Sequence, residues 1–146
     1  MFVEAWDYNE SKESLAGAIV GAHRRVWKAL SVRAEGVLLR VAQAETKGWL
    51  RGFTLGTRTH FGASRIQPFM DLGVGMSDAT TPIPPRGTRV NFLAVAGGGV
   101  QVYMRERISL SVSARWLHVS NNGREGHGRN PDIQALGAVI GIGWVY

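Results

Sequence analysis

The stretch Ile108-Ser109-Leu110-Ser111-Val112-Ser113-Ala114-Arg115-Trp116 alternates apolar and polar residues without a break. Successive side chains of a β-strand point to opposite faces. Ile108, Leu110, Val112, Ala114 and Trp116 therefore share one face, and Ser109, Ser111, Ser113 and Arg115 share the other. A soluble sheet would bury the apolar face and leave a solvent surface made largely of small residues, which is unusual. A small membrane barrel does the reverse, turning apolar side chains to lipid and polar or small ones inward.

The same pattern recurs along the chain. Leu136, Ala138, Ile140, Ile142, Trp144 and Tyr146 oppose Gly137, Gly141 and Gly143. Ile66, Met70, Leu72, Val74 and Met76 oppose Gln67, Asp71, Gly73, Gly75 and Ser77, while Arg33 and Glu35 oppose Leu30, Val32, Ala34 and Leu38. Eight strands are predicted: 2–8, 15–26, 30–41, 48–61, 65–77, 88–104, 108–120 and 132–146. Their connections alternate in length. Those at 27–29, 62–64 and 105–107 are short, and those at 7–14, 42–47, 77–87 and 121–131 are longer and polar. Periplasmic turns and extracellular loops of outer-membrane barrels differ in this way. The expectation is an all-β chain, one domain over residues 1–146. Its architecture is an eight-stranded antiparallel up-and-down transmembrane β-barrel of the bacterial outer membrane. Inward-facing Arg33, Glu35, Arg58, Asp71 and Arg115 must then pair with one another, because an isolated buried charge is costly. Gly97-Gly98-Gly99 would relieve crowding in the sixth strand.

Composition narrows the classes further. The net charge is +6 and there is no Cys. An anionic partner follows from the charge, but the basic residues are scattered without aromatic interleaving on one face, which argues against nucleic acid. No apolar run reaches the roughly 18 residues of a membrane helix. Met1-Phe2-Val3-Glu4 reads as strand rather than secretory signal, so a mature form is expected. The four histidines, with no Cys, have no metal-site spacing. His23 and His60 fall on the inward face, and His127 falls in a Gly-rich loop.

His118 is different. It stands two residues before Ser120, so both share the lipid-facing side near the loop end of the seventh strand. A serine hydroxyl is a weak nucleophile until a base takes its proton, and a neighbouring imidazole can do so. Folding the last hairpin about Gly126 puts Gln134 opposite His118 and Asp132 opposite Ser120, candidates for the group that orients the imidazole. Asn121, Asn130 and nearby amides are candidate oxyanion donors.

His118-Val119-Ser120-Asn121-Asn122-Gly123, followed by Asn130-Pro131-Asp132-Ile133-Gln134 and a Gly-alternating last strand, resembles the outer-membrane lipid A 3-O-deacylase family, the PagL-like acyloxyacyl hydrolases. Gln67-Pro68-Phe69 and Gly87-Thr88-Arg89-Val90-Asn91-Phe92 share the likeness. The resemblance implies a lipid-facing site that hydrolyses an ester-linked acyl chain of lipopolysaccharide without a cofactor. Ser120 would be the nucleophile and His118 its base. Asn130 and the amides from Asn121 to Gly123 would hold the oxyanion. The family's Glu is replaced here by Gln134, with Asp132 a possible alternative third member. Lys47, Arg86, Arg124 and Arg129 are expected to contact lipid A phosphates. The competing expectations are a non-catalytic outer-membrane barrel, structural, adhesive or an inactive member of the family, and a soluble barrel that binds an apolar ligand.

Overall fold

The computed structural model describes residues 1–5, 13–105, 108–126 and 132–144. Eight antiparallel strands form one closed barrel in sequence order. They are β1 (Phe2–Glu4), β2 (Ser14–Arg25), β3 (Leu30–Ala42), β4 (Lys47–His60), β5 (Ile66–Ile83), β6 (Thr88–Arg105), β7 (Ile108–Ser120) and β8 (Ile133–Trp144). The expected residues 6–8, His127, Arg129, Asn130 and Tyr146 lie outside the described residues.

The barrel is inside out, as the alternation requires. Val112 is 59% exposed, Ile140 79% and Leu72 58%, while Arg115, Asp71 and Arg33 are buried. The inward charges do form one network. Asp71 accepts from Arg58 Nε at 2.7 Å and Nη2 at 2.9 Å, and also from Arg33 and Arg115. Glu35 pairs with Arg115 at 3.1 Å and Arg33 at 3.2 Å. Register explains the convergence: Arg58 lies opposite Asp71, Asp71 opposite Gly97, and Gly97 opposite Arg115. A Cβ on Gly97 would stand 2.6 Å from the Ala114 carbonyl oxygen, so only glycine lets β6 sit this close to β7. His60 is buried in the interior, whereas His23, on the same inward face, is exposed at the open end.

Three features depart from expectation. First, residues 77–87 are not one long loop. β5 continues to Ile83, with a register shift between Asp78 and Ile83, and only four residues turn the chain into β6. Inward Ala79 and Ile83 are buried and hold this extension in the barrel, which the Thr- and Pro-rich composition disguises. Asn91 braces the turn, donating from Nδ2 to the Ile83 carbonyl at 3.0 Å and the Thr88 carbonyl at 2.9 Å.

Second, the interior is polar over only half its height. Towards the loop end it is filled by Leu15, Leu39, Val41, Leu50, Ile83, Leu93, Leu117, Val119 and Ile133. In β7 the alternation inverts at this level: Leu117 and Val119 point in, while His118 and Ser120 lie on the outward face. Third, β1 pairs with β2 only at Phe2 and Val3, and with β8 over Phe2–Glu4. The seam is therefore closed at the loop end. Below it, β2 and β8 have no ladder partner on that side among the described residues.

Candidate active site

Four strands carry one outward row of side chains. Phe53 of β4 lies opposite Met76 of β5, Met76 opposite Phe92 of β6, and Phe92 opposite Ser120 of β7. The next row towards the turn end is Leu55, Val74, Ala94, His118 and Gln134. The third contains Thr57, Leu72, Ala96 and Trp116. Because β6 contributes only Ala94 and Ala96 between bulkier neighbours, its outer surface is recessed. The result is an apolar groove of about 470 Å³ beginning at Ser120 and His118. It adjoins a second, of about 410 Å³, that shares Leu55, Val74 and Ala94 and ends at Trp116.

His118 Nε2 and Ser120 Oγ are hydrogen-bonded at 2.9 Å. Ser120 is 6% exposed and His118 is half-buried. The Trp116 ring stacks on the imidazole, with centroids 5.7 Å apart and planes inclined by 23°. Gln134 is paired with His118 in the hairpin, as its spacing implied, and its Nε2 lies 2.9 Å from His118 Nδ1. Asp132, expected beside Ser120, is turned towards the imidazole instead. Its Oδ2 accepts from Gln134 Nε2 at 2.6 Å and stands 3.6 Å from His118 Nδ1. Trp116 completes the cluster, its Nε1–H donating to Gln134 Oε1 at 2.9 Å.

The candidate oxyanion donors are not all gathered here. Asn121 is buried, and its Oδ1 accepts from the Gly123 N–H at 2.9 Å, a local turn bond that engages the Gly123 amide. Asn122, at φ 55°, lines the groove beside Ser120.

Guanidinium groups stand on the loop side of the groove, outside its lining residues. Arg51 and Asp78 face each other one row above Phe53 and Met76 and are hydrogen-bonded at 2.9 Å. Arg89 Nη2 lies 3.8 Å from the same carboxylate. The Arg124 guanidinium lies over the Phe92 ring, 4.9 Å from its centroid. Lys47 and Arg86 are exposed, but neither lines the groove.

Sequence reasoning missed Trp116, Phe53, Met76, Arg51 and Arg89 as members of this site. Trp116 was within reach, since it precedes His118 by two residues on the same face. The others required the register of β4, β5 and β6, which no local pattern encodes.

A family model described as lipid A 3-O-deacylase (PagL) matches residues 8–142. No curated protein gives a match. Among solved structures the chain is similar to the crystal structure of the outer membrane enzyme PagL, at 17% identity and a TM-score of 0.69, over 92% of each chain. The structural likeness at that identity is one of fold, and the strand order, the closed ring and the absence of helices among the described residues agree with it. With the family model spanning most of its length, the chain belongs to the lipid A 3-O-deacylase (PagL) family.

Proposed function

We propose that this chain is an outer-membrane esterase that removes an ester-linked acyl chain from lipid A in the outer leaflet. The observation that carries the reading is the 2.9 Å His118–Ser120 pair at the head of an outward apolar groove. A nucleophile there meets a lipid ester without extracting the lipid from the bilayer. The acyl chain would lie along Phe92, Ala94 and Ala96, and the phosphates would meet Arg51, Arg89 and Arg124, where guanidinium forks match phosphate oxygens.

The chemistry follows from the residues. Ser120 Oγ attacks the ester carbonyl carbon as its proton passes to His118 Nε2. The tetrahedral oxyanion forms beside Asn122, where the amides of Asn121 and Asn122 are the candidate donors, the Gly123 N–H being engaged by Asn121 Oδ1. Collapse breaks the bond to the sugar oxygen, which takes the proton from Nε2. Water then attacks the acyl-serine and gives a proton to His118 Nε2; the bond from Ser120 Oγ to the acyl carbon breaks, Oγ takes that proton, and the fatty acid leaves.

The test is lipid A mass spectrometry from cells expressing the wild type or Ser120→Ala. The wild type should remove one acyl chain. Loss of the serine should lower the rate by at least about 10³-fold, in keeping with a missing triad member. Identical lipid A in both cells would overturn the proposal. A second reading, a non-catalytic member of the family, is favoured by one observation: a neutral amide stands at 134 where the family has a carboxylate.

A further inference from the structure

The carboxamide of Gln134 has three neighbours, and two of them have fixed roles. The Trp116 indole N–H only donates, and an ionised Asp132 carboxylate only accepts. These two partners orient the amide, oxygen towards Trp116 and nitrogen towards Asp132. Turned over, the amide would set N–H against N–H at the indole and oxygen against oxygen at the carboxylate. The remaining contact, Gln134 Nε2 to His118 Nδ1 at 2.9 Å, therefore presents a donor to the imidazole. Neutral His118 must accept at Nδ1, so its proton sits on Nε2, facing Ser120 Oγ. That tautomer has no lone pair with which to take the serine proton. An amide in place of a triad carboxylate costs about 10⁴ in kcat in another serine hydrolase for the same reason.

An acceptor stands close by. Asp132 Oδ2 is 3.6 Å from His118 Nδ1, and a side-chain shift of about 1 Å brings it to hydrogen-bond distance. We propose that Asp132, not Gln134, is the residue that arms His118. Two arrangements compete for Nδ1. In one, Gln134 donates to it and the Ser120–His118 pair is idle. In the other, Asp132 accepts from Nδ1–H, and Nε2 turns its lone pair to Ser120. In the armed state the serine proton moves to Nε2 as the Oγ–acyl bond forms, and Nδ1–H stays on the imidazolium, held by the Asp132 carboxylate. The same proton leaves with the sugar oxygen when the ester C–O bond breaks. Asp132 touches no reacting atom and is a positioning residue. The inference rests on the hydrolase reading above for its catalytic consequence, and on the hydrogen-bond geometry alone for the tautomer.

The experiment has two readouts on detergent-refolded barrel. The first is the imidazole ¹⁵N spectrum of His118 with label in histidine, which distinguishes Nδ1–H from Nε2–H. Wild type should hold a measurable Nδ1–H population that Asp132→Asn removes and Gln134→Glu enlarges. The second is fatty-acid release from lipid A in mixed micelles. Asp132→Asn should lose at least 100-fold in kcat with KM within about twofold, and adding Gln134→Glu to it should restore most of the loss. A spectrum unchanged by Asp132→Asn, or a kcat within threefold of wild type, overturns the assignment. If wild type and Ser120→Ala are equally inert, the hydrolase reading fails, yet the spectrum still decides for or against Asp132.

Discussion

The two halves of this barrel are built on opposite rules. Towards the turn end, Val112, Leu110, Ile140 and Ile142 face outward while Arg33, Arg58, Asp71 and Arg115 fill the inside. Towards the loop end, the inside is Leu39, Leu50, Leu93, Leu117 and Ile133, and the outside includes Arg40, Arg51, Asp78 and Arg89. The lower half suits hydrocarbon around it, and the upper half suits water or headgroups. Strand length agrees, since about 9–11 tilted residues cross a membrane, whereas β5 and β6 have 18 each. On β7 the polarity change falls between Trp116 and His118, and on β4 and β5 between the Phe53–Met76 row and the Arg51–Asp78 row, so the imidazole–serine pair sits at the boundary between the two environments. An ester linking a sugar to an acyl chain belongs at that boundary.

The contrast can be broken at the charged interior. Asp71→Ala leaves Arg33, Arg58 and Arg115 with Glu35 as their remaining carboxylate in this network, and should cost about 3–5 kcal/mol, the penalty of an uncompensated buried charge. Urea titration of vesicle-refolded barrel measures it, and a loss under about 1 kcal/mol would show that the network is well hydrated. Val112→Arg places a cation on the lipid side of the lower half and should cost about 2–4 kcal/mol. Val90→Arg is also outward but lies a row above Phe92, and should cost no more than about 1 kcal/mol. Equal penalties for the two arginines would mean that the upper half is also sheathed in hydrocarbon. Smallest of all, Arg51→Gln removes an exposed pair with Asp78 worth about 0–1 kcal/mol. Its effect should appear in KM for phosphorylated lipid A rather than in stability.

Much of this was legible from residue order because a strand's period of two is local. The outward face of β7 and the inward placement of Arg58, Asp71 and Arg115 follow from parity, and the His118–Gln134 pairing from a single hairpin; that the three charges meet depends on register. The upper core was legible too, though disguised. Leu117-His118-Val119 reverses the polarity of Ser113-Ala114-Arg115, but either triplet alone reads as an ordinary strand. The extension of β5 to Ile83 was hidden by Thr80, Thr81 and Pro82, whose turn propensity is overruled by burial of Ala79 and Ile83. The groove could not be read at all. Phe53 and Ser120 share a row only after three interstrand registers are set. The turn of Asp132 towards His118 depends on a bond to Gln134 that spacing does not reveal.

The apolar stratum inside the upper half has a further consequence. Leu15, Leu39, Leu50, Ile83 and Ile133 are each within 1% of full burial and form a dry stopper across the lumen, below which the guanidinium–carboxylate lattice occupies the remaining bore. Ions are offered no hydrated route from end to end. Reconstituted in a planar bilayer, the protein should be electrically silent.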